Sequence, residues 1–492
     1  MHATSRPRRR SPDEDRGKDP QRAIRRRSWL VGLVLIAAAV ATAVALVTIG
    51  TGTGPKPPPT QSPTPPPVTG NWNVAVDFAS TVRTIDPDAI GIDESTYGTP
   101  TDVTDKTSQR LLRVLDAGYA RLAVTMSDPS NPQSRIICAA AGCNPDVSVD
   151  TWIKVMQSLG ETPLVEITPD SLSPADAAAI VQHFDAAGNA PIIYWVIGNE
   201  PDVNNQESAT TYSAHFNAIY DAMKRVDPWI KIGGPATLGF DEPFIKTFLA
   251  DSGSRVDFVD FHYYPGYEDE TQLLSDLTAM SADLQTLRTM IDSAVPSRAS
   301  DIGIHVGEWN ISADSRTLGA FAYTGFASMF DADMLGRMLE GGADSLVWGS
   351  KNGPMSIVYG DGTGAPAGYT PDTPMPMYEG LGMFTGEGLF PHFGTRIVSA
   401  ASNLPNVDAF ASASPDEIVL VNKGTTATHI KVHITGANAR AATIWQLTQP
   451  GVTPSPPRRL GTALSVKGTF DILLPSESVT TLVLTPLAEK PK

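Results

Sequence analysis

Cysteine is almost absent: the 492 residues hold two, Cys138 and Cys143, in "IICAAAGCNPD". Two lone thiols with no histidine close by in sequence make a poor metal site, and outside the cell the pair reads as a small disulfide loop. Several chemical signatures are missing as well. There is no zinc-finger spacing, Walker loop, dinucleotide fingerprint, Gly-x-Ser-x-Gly elbow or His-Glu-x-x-His helix. Esterase and metalloprotease chemistry is left without support, and neither a metal nor an organic cofactor is called for. Positive charge is scarce beyond the N-terminus. Residues 1–28 hold ten Arg/Lys against four Asp/Glu, a net +6, so a total of -16 leaves -22 on the remainder. A body this acidic is not a nucleic-acid binder, because phosphate binding needs clustered cations.

One long uncharged run is present, "WLVGLVLIAAAVATAVALVTI", Trp29 to Ile49. As a helix it would reach about 30 Å, enough to cross one hydrocarbon core. "RAIRRRS" just before it places the N-terminus in the cytoplasm and everything after residue 50 outside, at the plasma membrane. The alternative is a cleaved signal peptide and a secreted protein, with Ala43 and Ala45 as small residues near a cleavage site. "GPKPPPTQSPTPPPVTG", residues 54–70, is a polyproline spacer able to hold a folded body roughly 50 Å from the membrane.

From Asn71 onward, short β-forming runs alternate with amphipathic helical stretches. Strands are expected near residues 89–93, 119–124, 163–168, 192–198, 230–234, 256–264, 302–308 and 344–350. Between them, Leu273, Leu277, Met280, Leu284, Leu287 and Ile291 recur at three- and four-residue intervals, marking one buried helix face. Tyr212, Phe216, Ile219 and Met223 do the same. Eight β-runs with helical crossovers imply a parallel sheet and match a (β/α)8 TIM barrel in count and size. An open doubly wound sheet gives no reason for reactive side chains at so many strand ends. After about residue 390 the helical pattern stops. "NVDAFASAS", "DEIVLVNKG", "THIKVHITG", "AATIWQLTQ" and "SVTTLVLTP" read as a C-terminal antiparallel β-sandwich, with "NVAVDFAS" (73–80) a candidate extra strand. The expected organisation is a basic tail (1–28), a transmembrane helix (29–49), a Pro-rich linker (50–71), a barrel (72–388) and the sandwich (389–492).

In such a barrel, chemistry gathers where the strands end at the C-terminal face. Strand one ends in Asp93 and Glu94, strand two carries Arg121, and strand four stops at "IGNEPD" with Asn199 and Glu200. Strand six offers His262 and Tyr264, strand seven ends in Glu308, and strand eight carries Trp348. Glu200 and Glu308 belong to strand ends that face each other across a closed mouth. Paired carboxyls about 5–5.5 Å apart cleave glycosidic bonds with retention, one as acid and one as nucleophile. Mutual repulsion at such a distance keeps one of them protonated. Asn199 is placed to hold a sugar hydroxyl. His262 is a sugar contact, a metal ligand or a wall residue. Arg121 positions a carboxylate or sugar, or pairs with Glu94. Tyr263 and Tyr264 must point to opposite sides, and Tyr264 is the one assigned to the mouth. "NIS" at 310–312 is formally a glycosylation sequon, but its place beside Glu308 makes Asn310 a polar wall residue.

"IGNEPD" and "VGEWN" resemble the signatures of clan A retaining glycoside hydrolases. "GEWN" is most similar to families 39 and 51, and family 79 is similar in architecture. The resemblance implies that Glu200 is the acid/base, Asn199 a sugar-binding amide and Glu308 the nucleophile. It implies that Tyr264 touches the nucleophile, Trp348 floors the sugar subsite, and Asp93 or Glu94 is an acidic sugar contact. The function so implied is a membrane-anchored extracellular retaining glycosidase acting on an oligo- or polysaccharide or simpler glycoside. A non-catalytic carbohydrate-binding protein on a degenerate barrel is the alternative.

Overall fold

The first strand, β1 (Val74–Thr84), belongs to the C-terminal sheet, and the barrel begins only with β2 (Ile90–Asp93). Its other members are β3 (Tyr119–Met126), β5 (Thr162–Ile167), β6 (Tyr194–Ile197), β7 (Lys231–Thr237), β8 (Phe258–Tyr263), β9 (Gly303–Trp309) and β10 (Asp344–Trp348). All eight are parallel, and β2 pairs with both β10 and β3, which closes the ring. A short strand, β4 (Ile136–Cys138), adds antiparallel to the end of β3. The computed structural model describes residues 70–94, 101–127, 136–138, 147–168, 172–186, 191–266, 269–313, 321–360, 365–437, 441–449, 451–465 and 468–485. The expected tail, transmembrane helix, the linker up to residue 69 and the Cys138–Cys143 disulfide lie outside these residues, Cys143 being absent from them. Among the described residues no helix is long and apolar enough to cross a membrane.

Local chemistry explains the helices. Those between the barrel strands include α1 (Lys106–Leu115), α2 (Val149–Leu159), α3 (Pro174–Asp185), the single turn α4 (Pro201–Asn204), α5 (Ala209–Val226), α6 (Glu242–Ser252), α7 (Glu270–Ala294) and α8 (Gly325–Gly341). Asp105, Ser148, Ser173, Ser208, Asp241 and Asp269 each accept a hydrogen bond from the first turn they precede. In α7 the six periodic residues from Leu273 to Ile291 are fully buried, each burial contributing roughly 1.5–3 kcal/mol. Tyr119, Leu164, Val196, Phe258 and Leu346 plug the barrel interior. The C-terminal ends of the strands are left to polar groups.

The second sheet holds nine strands in the order β18-β17-β20-β15-β14-β13-β1-β16-β19. They are β1 with β13 (Arg396–Ser402), β14 (Val407–Ala413), β15 (Glu417–Asn422), β16 (Thr428–Thr435), β17 (Ala441–Thr448), β18 (Arg458–Leu464), β19 (Thr469–Leu474) and β20 (Ser478–Thr485). β11 (Lys351–Asn352) and β12 (Val358–Tyr359) form a separate small pair. The sheet is not wholly antiparallel as expected: β1 runs parallel to β16 while pairing antiparallel with β13. The reason is topological, because β1 enters from the far end of the chain rather than through a hairpin. Its inner faces share a core of Val76, Val398, Ile418, Leu420, Ile430, Ile472 and Leu482.

The outer face of this sheet is joined to the barrel. Val419, Val421, Phe410 and Val479 pack into the barrel-side core. A Cβ on Gly336 of α8 would sit 2.4 Å from the Phe410 ring, so the helix approaches the sheet where only glycine fits. Arg337 and Lys423 bridge Asp333 of α8 to Asp408 of β14. Glu417 at the start of β15 is fully buried, with neither carboxyl oxygen hydrogen-bonded. Burial alone pushes its pKa up from 4.5 to about 9. A folded-state pKa above the unfolded one means that the folded state binds the extra proton. Its contribution is therefore complete below pH 4.5 and is lost as pH rises through about 9. The thermal midpoint is expected to fall as pH rises from 4.5 to about 9, and Glu417→Gln to flatten the fall, as read by a pH series of melting curves.

Candidate active site

Two strand ends make the site, each by a local departure from regular geometry. After β6 the chain passes through Gly198 at φ 113, a left-handed position open to glycine. Glu200 follows at φ 51 and ψ 52, also left-handed, and Pro201 then opens α4 with its ring-fixed φ. A non-glycine residue held there costs on the order of 1–3 kcal/mol, and such strain concentrates at functional positions. The backbone N–H of Glu200 donates to Ala236 O of the neighbouring strand end at 2.7 Å, and Asn204 Nδ2 donates to Asn199 O at 3.1 Å. The turn is thereby tied on both sides.

On β9 the device is a bulge. His305 stacks on Phe258 in the barrel interior at 3.9 Å, so strict alternation would turn Gly307 and Trp309 inward and Glu308 outward. The register against β8 instead jumps: Phe261 lies opposite Val306, and His262 opposite Glu308. The extra residue reverses the phase. Glu308 then faces the mouth, while Trp309 is buried in the core outside the strands with Nε1 donating to Ser345 Oγ at 2.8 Å. Gly307 is required here, because its N–H donates to Asp260 Oδ1 at 2.8 Å and a Cβ would lie 2.4 Å from that oxygen. Gly307→Ala is expected to lower stability by roughly 1–3 kcal/mol through overpacking and to displace Glu308. Melting curves and activity measured together on that variant check it.

Arg121 is the hub. It is fully buried, and NH1 donates to Glu308 Oε1 at 2.7 Å, to Gly307 O at 3.1 Å and to His262 Nε2 at 3.0 Å. NH2 donates to Glu166 Oε2 at 2.8 Å and to Asn199 Oδ1 at 3.1 Å. Asp93 Oδ2 is 3.6 Å away. Burial opposes its charge, but Glu166, Glu308, Asp93 and Asp260 outweigh that and raise its pKa. Arginine has no acceptor, so Nε2 of His262 must accept. The imidazole then carries its proton on Nδ1, which donates to Glu200 Oε1 at 3.0 Å. Burial lowers the His262 pKa to about 4, keeping the ring neutral. Tyr264 completes the set by donating its hydroxyl to Glu308 Oε2 at 2.8 Å.

Carboxylate oxygens of Glu200 and Glu308 and a nitrogen of His262 lie within 4.8 Å of one another. Burial pushes the pKa of both glutamates up to about 7. Glu308 has an arginine and a phenol donating directly to its two oxygens, which favours its anion. Glu200 feels the Arg121 charge without a direct hydrogen bond from it, and its close partners are the neutral imidazole and Asn204. The hydrogen-bonding surroundings thus favour the anion at Glu308 more than at Glu200. The same three residues have the spacing of a metal triad, but the Arg121 cation 2.7 Å from Glu308 opposes a divalent ion there.

The structure thus brings together Glu200, Glu308, Asn199, His262, Tyr264 and Arg121. Trp348 stands half-buried at the end of β10, opposite Asp93. Glu94 is not among them. It turns into a buried cluster in which burial, Asp102 and Glu161 raise its pKa and Ser350 donates to it. Arg121 makes its ion pair with Asp93, not with Glu94. Tyr263 points away, donating to Asp276 O at 3.2 Å. Asn310 is fully buried, its Nδ2 donating to Trp348 O at 3.2 Å. Sequence reading missed Glu166 and Asp260. Glu166 is a lone carboxylate inside an apolar β-run, and Asp260 is one of two acids in "VDFVDFHYY"; that was the available signal.

Residues 180–352, which contain both glutamates, match the sequence model of glycosyl hydrolases family 39. A β-xylosidase of Geobacillus stearothermophilus is 29% identical over 157 residues, spanning 27% of this chain and 30% of that protein. Two arabinofuranosidases share the fold over 84% of this chain. The Thermotoga maritima α-L-arabinofuranosidase is 16% identical, with a TM-score of 0.67 and 100% of its chain covered. The family 51 enzyme of Thermotoga petrophila is 17% identical, with a TM-score of 0.67 and 99% covered. A family 44 endoglucanase from Clostridium thermocellum follows at 15% identity and a TM-score of 0.61, with 84% and 99% covered. The chain resembles clan A glycoside hydrolases of the family 39 and 51 type.

Proposed function

We propose that this chain is a retaining glycoside hydrolase that cleaves O-glycosidic bonds by double displacement. The observation that carries the reading is the approach of Glu200 and Glu308 to within 4.8 Å, in opposite hydrogen-bonding surroundings. The spacing suits a retaining pair, at about 5–5.5 Å, and leaves no room for the water an inverting pair encloses. Glu308, held as an anion by Arg121 and Tyr264, attacks the anomeric carbon while Glu200 delivers its proton to the departing oxygen. The bond from carbon to leaving oxygen breaks as the bond to the Glu308 carboxylate forms. Glu200, now ionised beside His262, takes a proton from water, and that water displaces Glu308 with a second inversion. Asn199, whose Oδ1 is occupied by Arg121, presents its Nδ2 to a sugar hydroxyl. None of these steps draws on a metal or organic cofactor.

Xylosides and arabinofuranosides are the first substrates to try, given the β-xylosidase and arabinofuranosidases that this chain resembles. Trp29–Ile49 would anchor the enzyme in the plasma membrane with the N-terminus in the cytoplasm and the barrel outside. The deciding experiment is incubation with a panel of aryl glycosides and proton NMR of the first-formed sugar. Release with the substrate's own anomeric configuration is expected. An inverted first product, or binding without release across the panel, would overturn the reading.

A further inference from the structure

One buried carboxyl close to the paired glutamates has no part in the reaction as written. Asp260 lies on β8 two residues before His262, so both side chains belong to the same face of the strand. It sits one layer deeper, about 6–7 Å below His262 at roughly 3.3 Å per residue, and is fully buried, out of reach of a sugar. Its Oδ2 has no hydrogen-bond partner among the described residues. Its Oδ1 accepts from the Gly307 N–H at 2.8 Å. Burying an ionisable group for one hydrogen bond is costly, and a carboxyl kept there at that cost points to what the hydrogen bond does.

Gly307 is the extra residue of β9, and both neighbouring strands register it. Against β8, the consecutive Phe261 and His262 face Val306 and Glu308. Against β10, Ser345 and Val347 face Val306 and Trp309, so two steps on one strand match three on the other. A bulged residue stands outside the ladder, and a buried N–H needs an acceptor. Asp260 supplies it. Arg121 NH1 donates to the carbonyl of the same residue at 3.1 Å. Gly307 is thus held from β8 through its nitrogen and from β3 through its oxygen. The competing arrangement is regular pairing, with Gly307 opposite His262 and Glu308 opposite Tyr263. It needs no carboxyl, but a one-residue slip turns each later side chain to the other face, which takes Glu308 out of the mouth. Resting on the retaining-glycosidase reading of the same site, we infer that Asp260 is a positioning residue for the nucleophile. It makes the bulged register of β9 the stable one and so aims Glu308 at the anomeric carbon. It acts through the Gly307 amide, and what this place requires is an acceptor oxygen rather than a charge.

The test follows the nucleophile. The full chain in detergent is treated with the 2-deoxy-2-fluoro dinitrophenyl glycoside of whichever panel sugar the wild type cleaves best. The bond from the anomeric carbon to a Glu308 oxygen forms as the bond to dinitrophenolate breaks, and the phenolate leaves without a proton. The amplitude of the phenolate burst counts folded sites, and its rate constant at saturation reads the aim of Glu308. A merely structural role moves the amplitude and leaves the rate constant. Asp260→Leu, close to aspartate in shape but without an acceptor, and Asp260→Ala are expected to lower the rate constant by about a hundredfold or more, the scale of a misplaced reacting group. Asp260→Asn keeps the acceptor oxygen and is expected to stay within about tenfold of wild type, the difference between a charged and a neutral acceptor. A wild-type rate constant in a folded Leu or Ala variant overturns the inference, and so does an Asn variant as slow as Leu. If neither acceptor-less variant folds, Asn decides alone: a rate near wild type supports the inference, and a hundredfold loss ends it. Labelling of the wild type away from Glu308, or cleavage of no panel glycoside, removes the retaining reading and this inference with it.

Discussion

Glu308→Ala is expected to abolish turnover of an aryl glycoside almost completely, by a factor on the order of 10⁴–10⁶ in kcat, as removing a covalent nucleophile does elsewhere. The physical reason is specific. Arg121 NH1 and the Tyr264 hydroxyl converge on the two Glu308 oxygens, and after truncation both donors face an empty volume the size of a carboxylate. A small anion such as azide fits that volume, between the same donors. It is expected to restore part of the rate and to give a glycosyl azide with inverted configuration, since only one displacement then occurs. Retention of full activity in a folded Glu308→Ala variant would discard the assignment. Restoration without inversion would mean that attack comes from another side.

Glu200→Gln is expected to lower kcat by roughly 10²–10⁴, the usual share of a general acid–base group. The loss should depend on the leaving group. A nitrophenolate departs without a proton, so cleavage of the first bond should be little affected, whereas an alkyl glycoside needs the proton and should lose nearly everything. The pH profile gives a second readout. Burial raises the Glu200 pKa to about 7, so the protonated acid is present below that value and its activity is lost as pH rises through it. In the Gln variant the alkaline limb should vanish for an activated substrate. His262 enters the same measurement, because its Nδ1–H on Glu200 Oε1 exists only while Arg121 occupies Nε2. A Gln variant that keeps both the wild-type alkaline limb and the rate on alkyl glycosides would place the acid elsewhere.

The eight barrel strands were legible because each is a short β-branched run bounded by turn residues, and their number left few topologies open. β1 was legible for the same reason as a candidate strand of the second sheet, but its place between β13 and β16 was not. β18, "RRLGTAL", was not, since a half-exposed edge strand with Gly461 shows no apolar face. β19 does alternate, burying Phe470, Ile472 and Leu474, but six residues between polar turns did not stand out. Glu94 was misplaced for want of register. The signal "GIDEST" puts two acids side by side, and only the pairing of Asp93 with Arg121 across β2 and β3 says which one faces the mouth.

What the amino-acid order determined by itself was the set of elements and the chemistry placed at their ends. Periodicity is local, and a carboxylate that ends an apolar strand is visible without coordinates. What only the tertiary structure decided was orientation and connection. The bulge at Gly307 turns Glu308 inward against the alternation that its neighbours obey, and the buried Arg121 joins residues from five strand ends into one hydrogen-bonded group. Both depend on register between strands remote in sequence, and register is a property of the closed sheet that no single strand carries.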